Sequence, residues 1–317
     1  MGDETIRPTL VGRSRAIREV LRDISRFAPL PYPVVIAGET GVGKELAARE
    51  LHVQSGRAGP FVPVNCACLP DSLIESELFG HARGAFTGAD RERPGLFEAA
   101  HGGTLLLDEA ETLSLPAQER LLRAIETGES RRVGETRPRA FNVRIVAATN
   151  VDPAELVAEH GFRADLYFRL AVLMLRIPPL RERLEDIAPL AEHLLNKFSV
   201  ETGRPAPLLV PAALHILENL PWPGNVRELE NMLRRAAVAA GPAEPLKPCH
   251  LAELIASPPP PPGSDRRARS IAQLRECGLP LNAIARRLGV TRKTLWAWRK
   301  RWPTPSSPRL APAAPLS

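Results

Sequence analysis

No stretch of the 317-residue chain approaches the roughly 18 consecutive apolar residues that a membrane span requires. The opening MGDETIRPTL lacks the basic region and apolar core of a secretory leader, so no membrane partner and a cytoplasmic location are expected. Cysteine is sparse, with four residues at 66, 68, 249 and 277, no C-x-x-C pair and no histidine at metal-ligand spacing. All four read as structural thiols, and the C-A-C at 66–68 as buried small residues rather than a redox or metal pair. Internal repeats are also absent. What remains is a chain with 44% apolar and 25% charged residues, long enough for about two domains and typical of soluble globular proteins.

The modest net charge of +6 conceals an uneven distribution. Residues 263–302 hold eleven Lys/Arg against two acids, whereas residues 1–262 hold thirty against thirty-four. A short segment this basic suits a polyanion, with nucleic acid the first candidate. Of the 33 prolines, eight fall between 242 and 262 and end in SPPPPPG, and five more follow Trp302. A pentaproline run favours an extended spacer, so the basic segment is expected to be tethered at a distance, with a disordered tail from 303.

Ahead of the linker, short apolar runs alternate with helical patterns, as in an α/β sheet covered by helices. PVVIAG at 33–38, FVPVNC at 61–66, TLLLDE at 104–109 and VRIVAATN at 143–150 read as buried strands. From 187 to 254 the pattern turns helical, in IAPLAEHLL, PAALHILENL and NVRELENMLRRAAVAA.

GETGVGKE at 38–45 follows the first strand and opens a helical run. In that context Gly38, Glu39, Thr40, Gly41, Val42 and Gly43 form a phosphate-cradling loop, and Lys44 reaches the β and γ oxygens. Glu45 stands where a Ser/Thr ligand to magnesium is usual. TLLLDE ends a strand with Asp108, suited to organising Mg²⁺, and Glu109, suited to polarising an attacking water. Thr149 and Asn150, at the end of a strand expected beside that site, either sense the γ-phosphate or form an ordinary turn.

From about residue 10 to 254 the sequence resembles the AAA+ domain of the bacterial enhancer-binding proteins, the NtrC-type activators of sigma-54 RNA polymerase. LVGRSRAIREV, the GETGVGKE loop with its family-typical glutamate, and ESELFGHARGAFTGA at 75–89 carry the likeness. The resemblance implies that Gly84, Ala85, Phe86, Thr87, Gly88 and Ala89 form the loop contacting sigma-54. The two glycines independently suggest a tight turn presenting Phe86 and Thr87, and the plainer alternative is a hairpin with Phe86 folded into the core. It implies further that Asn65 is the switch partner of Glu109 and that Arg163 and Arg169 reach a neighbouring subunit's ATP. Without the family, pairing of Arg163 with Asp165 on the surface is the simpler reading. Arg227, in WPGNVREL, matches the lid arginine that senses nucleotide. Departures are NCACL for NCAAL, RLAV for RLNV, and DEAETL for DEIGEL.

Residues 266–302 divide as RRARSIAQLRECG, LNAIARRLGV and TRKTLWAWRKRW, with helix-turn-helix spacing. Gly289 supplies the turn, and Ile284, Leu288, Val290, Leu295 and Trp298 form an apolar face. The last helix starts at Thr291 and would lie in the major groove, with Thr291, Arg292, Lys293, Thr294, Trp296 and Arg299 as DNA contacts. Trp296 and Trp298 are two apart, so one belongs to the core and one to the surface.

The expected fold is therefore a P-loop AAA+ three-layer α/β domain with a helical lid and then a small all-α helix-turn-helix. Its segments are a short extension (1–9), the α/β ATPase part (10–180), the lid (181–256), a proline linker (257–264), the DNA-binding module (265–302) and a tail (303–317). The function implied is an ATP- and Mg²⁺-dependent activator that binds upstream enhancer DNA, forms a homo-oligomeric ring, by resemblance a hexamer, and opens sigma-54 holoenzyme complexes. With about ten residues ahead of the match, control is expected in trans, from an inhibitory protein or from expression level. The rival is a DNA-binding repressor that uses its AAA+ domain only for nucleotide-controlled assembly. A general AAA+ chaperone or clamp loader would lack the GAFTGA loop.

Overall fold

A computed structural model describes residues 10–86, 88–159, 161–242 and 244–256. The extension 1–9, Thr87, the linker, the basic module with Thr291, Arg292, Lys293, Thr294, Trp296 and Arg299, and the tail lie outside the described residues.

Five parallel strands form the central sheet: β1 (Val34–Ala37), β2 (Phe61–Asn65), β3 (Thr104–Asp108), β4 (Arg144–Thr149) and β5 (Leu173–Arg176), in the order β2-β3-β4-β1-β5. The four apolar runs recognised in the sequence become β1 to β4, each trimmed by one or two residues. The fifth strand, LMLR, was not foreseen because only one of its four residues is buried, as edge position allows. β1 and β4 are buried throughout and β3 in all but its last residue, which explains their continuous apolar reading without polar alternation.

Successive side chains of these strands enter opposite layers. Val35, Leu105, Leu107, Ile145 and Ala147 pack with residues of helices α3 (Asp71–Phe79), α4 (Leu115–Thr127) and α5 (Ala164–Leu170). Val34, Ile36, Leu106, Val146 and Ala148 pack with helices α1 (Arg15–Phe27) and α2 (Lys44–Gln54). The result is a three-layer α/β unit.

The lid follows as α6 (Ile187–Thr202), α7 (Pro211–Glu218), α8 (Asn225–Ala240) and α9 (Pro248–Ala256), with a separate core built around Leu190, Leu194, Trp222, Leu229 and Leu233. Two buried charged groups fix it to the first unit. Asp186 accepts from Arg13 N at 2.6 Å, Ser14 N at 2.7 Å and Ser14 Oγ at 2.7 Å. Arg183 donates to Val42 O at 3.0 Å. Among the described residues no helix is long and apolar enough to cross a membrane.

Candidate functional site

The phosphate loop owes its path to glycine. Gly41 and Gly43 have φ of 82° and 107°, and a Cβ on Gly41 would lie 2.4 Å from Gly224 O in the lid. Gly43 then caps α2, so the first free N–H groups of that helix open towards the loop. Lys44, the first residue of α2, is buried and donates to Gly38 O at 2.7 Å, Glu39 O at 3.1 Å and Asn150 Oδ1 at 2.6 Å. Burial pushes its ammonium below the ordinary lysine range, while Asp108, Glu111 and Glu109 push it back up.

A cleft of about 480 Å³ opens over this loop. Thr40, Gly41, Val42, Gly43, Lys44, Glu45, Asp108, Glu109, Asn150 and Arg227 line it, together with Leu10, Val11 and lid residues of α6 and α8. Three motifs separated by scores of residues thus converge because β1, β3 and β4 are adjacent and end at the same edge. Ligands of open parallel sheets bind at that carboxyl edge.

Asp108 and Glu109 behave differently despite being neighbours. Burial raises the Asp108 carboxyl, opposed by the Lys44 charge, and its Oδ1 accepts from Glu109 N at 3.1 Å. Glu109 adopts φ 54°, a left-handed conformation unusual for glutamate. Asn65 ends β2 directly opposite Asp108 in strand register, and its Oδ1 accepts from Ala67 N at 2.9 Å. Thr149 is buried, accepts from Val151 N through Oγ1 at 3.1 Å and does not line the cleft. Its strand neighbour Asn150 does.

Glu39 belongs to the loop but serves the lid. Its carboxylate takes two bonds from Arg181, at 2.9 and 2.7 Å, and one from Asn225 Nδ2 at 3.0 Å. The Arg181 guanidinium holds the Glu39 carboxyl below its ordinary range. Arg227 follows in the first turn of α8, and its backbone N–H donates to Gly41 O at 3.3 Å. Arg163 and Arg169 lie on or beside α5, away from the cleft. Arg163 pairs with Asp165 at 3.1 and 2.8 Å, as the simpler sequence reading had it, and Arg169 is exposed.

On either side of Thr87, Gly84 N donates to Ala89 O at 2.8 Å, and Gly84 and Gly88 have φ of 78° and 98°. Phe86 is 38% exposed, and its ring meets His81 edge-on at 5.0 Å. It is therefore presented at the surface and braced from beneath. A neighbouring loop supports the turn: Ala82 N donates to Val133 O and Val133 N to Gly80 O, while Ala85 sits against Gly134.

Sequence reasoning missed Glu111, Arg181, Arg183, Asp186 and Asn225. Only Asn225 left a local signal, since a Pro-Gly-Asn turn is where a residue with positive φ belongs, and Asn225 has φ 52°.

The family described as "Sigma-54 interaction domain" matches residues 10–176, "AAA+ ATPase lid domain" matches 181–267, and "Homeodomain-like domain" matches 262–305. The nitric oxide reductase transcription regulator NorR2 of Cupriavidus necator is 53% identical over 73% of this chain and 44% of its own. The transcriptional regulatory protein ZraR of Klebsiella oxytoca is 45% identical over 91% of this chain and 68% of its own. Crystal structures of NtrX from Brucella abortus, in complex with ADP and with ATP, are each 34% identical, with TM-scores of 0.72 and 0.71 over 92% of this chain and 69% of theirs. The chain spans about half the length of several curated relatives it matches. The fold, the cleft and these matches agree, and the chain belongs to the sigma-54 interaction domain family of AAA+ proteins.

Proposed function

We propose that this chain is an ATP-hydrolysing transcriptional activator that assembles with copies of itself into a ring, by family resemblance a hexamer. It binds upstream enhancer DNA and remodels sigma-54 RNA polymerase closed complexes into open ones in the cytoplasm. One observation carries the reading: in a single family-matched unit, a complete phosphate-loop cleft coexists with an intact GAFTGA turn that presents Phe86.

The loop amides of 38–45 would hold the phosphates of ATP, a ligand seen with the relative NtrX, and Lys44 would meet the β and γ oxygens. Asp108 and Glu109 offer hard carboxylate oxygens beside that position, which suits Mg²⁺. Asp108 would hold the ion, whose contribution is to neutralise phosphate charge. Glu109 would orient the attacking water, restrained by Asn65 across the strand pair, and Asn150 would report the γ-phosphate, with the preceding Thr149 acting from behind the cleft wall. Arg227 would read the nucleotide from the lid. Arg163 and Arg169, both outside the cleft, would act on the ATP of a neighbouring subunit. Residues 84–89, Thr87 included, would contact sigma-54. The basic segment, with Thr291, Arg292, Lys293, Thr294, Trp296 and Arg299, would grip DNA.

Open-complex formation on a premelting-dependent promoter tests this directly. Purified chain with sigma-54 holoenzyme should yield heparin-resistant complexes with ATP and none with a non-hydrolysable analogue. Hydrolysis without opening would overturn the activator reading in favour of the repressor.

A further inference from the structure

Glu111 lies in the DEAETL segment, in the tight 3-10 turn Ala110–Thr112 that follows Asp108 and Glu109. Its Oε1 accepts from the backbone N of Asn150 at 3.1 Å and from Asn150 Nδ2 at 3.2 Å. On the other side of the same amide, Oδ1 accepts from Lys44 Nζ at 2.6 Å and from Thr40 Oγ1 at 3.2 Å. A carboxylate can only accept and an ammonium can only donate, so the Asn150 amide has one compatible orientation. Glu111 selects it from one end and Lys44 from the other.

The second oxygen, Oε2, is buried and has no hydrogen-bond partner among the described residues. An unpaired buried carboxylate oxygen works against stability, so stability alone does not account for an acid at this position. Glu111 is also among the charges that favour the protonated Lys44. The three groups form a line of carboxylate, amide and ammonium running from the end of β3 across the end of β4 to the phosphate loop.

We propose that Glu111 is a positioning residue of the nucleotide site, holding the Asn150 amide so that Oδ1 steers Lys44 towards the phosphates. The inference rests on the ATPase reading above. Gly38 O and Glu39 O retain Lys44 in the loop whichever way Asn150 turns. Losing Glu111 therefore disturbs the aim of Lys44 more than its presence, and hydrolysis suffers more than binding.

The test compares wild type, Glu111→Ala and Glu111→Gln in the full chain. Glutamine keeps an acceptor oxygen for Asn150 without the charge. ATPase kcat should fall on the order of tenfold in Glu111→Ala, with ADP affinity changed by less than about threefold, and Glu111→Gln should recover most of the rate. A second readout needs no turnover: with asparagine labelled by ¹⁵N and Asn150→Asp used to identify its signal, solvent exchange of the Asn150 side-chain NH₂ should accelerate in Glu111→Ala and stay slow in Glu111→Gln. Unchanged exchange in Glu111→Ala, a kcat within about twofold of wild type, or equal losses in both variants would each overturn the proposal. If wild type hydrolyses no ATP while the Asn150 signal responds as described, the ATPase reading fails and the positioning geometry stands.

Discussion

Asn225 Nδ2 donates to Glu39 Oε2 at 3.0 Å and to Thr40 O at 3.1 Å, while Asn225 Oδ1 accepts from Leu180 N at 2.8 Å. One fully buried amide thus fastens the first turn of α8 to the phosphate loop and to the connector entering the lid. The phosphate loop and the lid are therefore coupled through a specific contact.

Removing that amide should be costly. Asn225→Ala leaves Leu180 N and Thr40 O without their partners and places alanine at φ 52°, so a loss of about 2–4 kcal/mol in unfolding free energy is expected. Urea denaturation reads it, and a loss below about 1 kcal/mol would show that the contact is incidental.

Glu109 should show the opposite balance, because its left-handed backbone suits asparagine better than glutamate. Glu109→Asn is expected to stabilise the fold by about 0.5–1 kcal/mol while lowering ATP hydrolysis at least on the order of 100-fold. Calorimetry and a phosphate-release assay on the same preparation check both halves. A stability loss would show that the left-handed Glu109 backbone costs the fold nothing.

How much of this was readable in the sequence depended on the range over which each constraint acts. β1, β3 and β4 carry their own signal, because full burial forces unbroken apolar runs bounded by glycine or polar residues. GETGVGKE and the paired acids of TLLLDE were legible for the same reason, since phosphate chemistry fixes residue types at short spacing. The contacts of Glu111 with Asn150, 39 residues on, and of Asn225 with Glu39, 186 residues away, follow from tertiary closure alone. Phe86 lay between these cases: the flanking glycines announced a turn, but the His81 ring beneath it could not be inferred from spacing.

The two cysteines of the C-A-C segment should differ sharply in reactivity. Cys66 is buried beside Asp108, Glu111 and Glu109, and burial first, then those charges, push its thiol up to about 12, whereas Cys68 is exposed. Iodoacetamide at pH 8 should label Cys68 at least on the order of tenfold faster than Cys66, as peptide mass spectrometry would record. The same shift has a sign in stability. Between the unfolded value of 9.0 and about 12 only the unfolded chain releases this proton, so native stability falls as pH rises through that window, by up to about 1.4 kcal/mol per pH unit. Cys66→Ala should flatten that alkaline slope, and an unchanged slope would assign it to other groups.

Lys44→Ala removes the donor shared by Gly38 O, Glu39 O and Asn150 Oδ1 and the cation of the cleft. Nucleotide affinity should drop on the order of 100-fold by calorimetric titration, with the fold retained by circular dichroism. Near-normal affinity would move the binding site elsewhere.

The most direct test of the central claim separates phosphate chemistry from sigma-54 contact. Wild type, Phe86→Ala and Thr87→Ala are compared in parallel for ATP hydrolysis and for open-complex formation with sigma-54 holoenzyme. The account predicts that wild type opens the promoter and that both variants hydrolyse ATP within about threefold of wild type while opening falls at least on the order of tenfold. Normal opening by both variants, or a wild type that hydrolyses ATP and never opens the promoter, would contradict it.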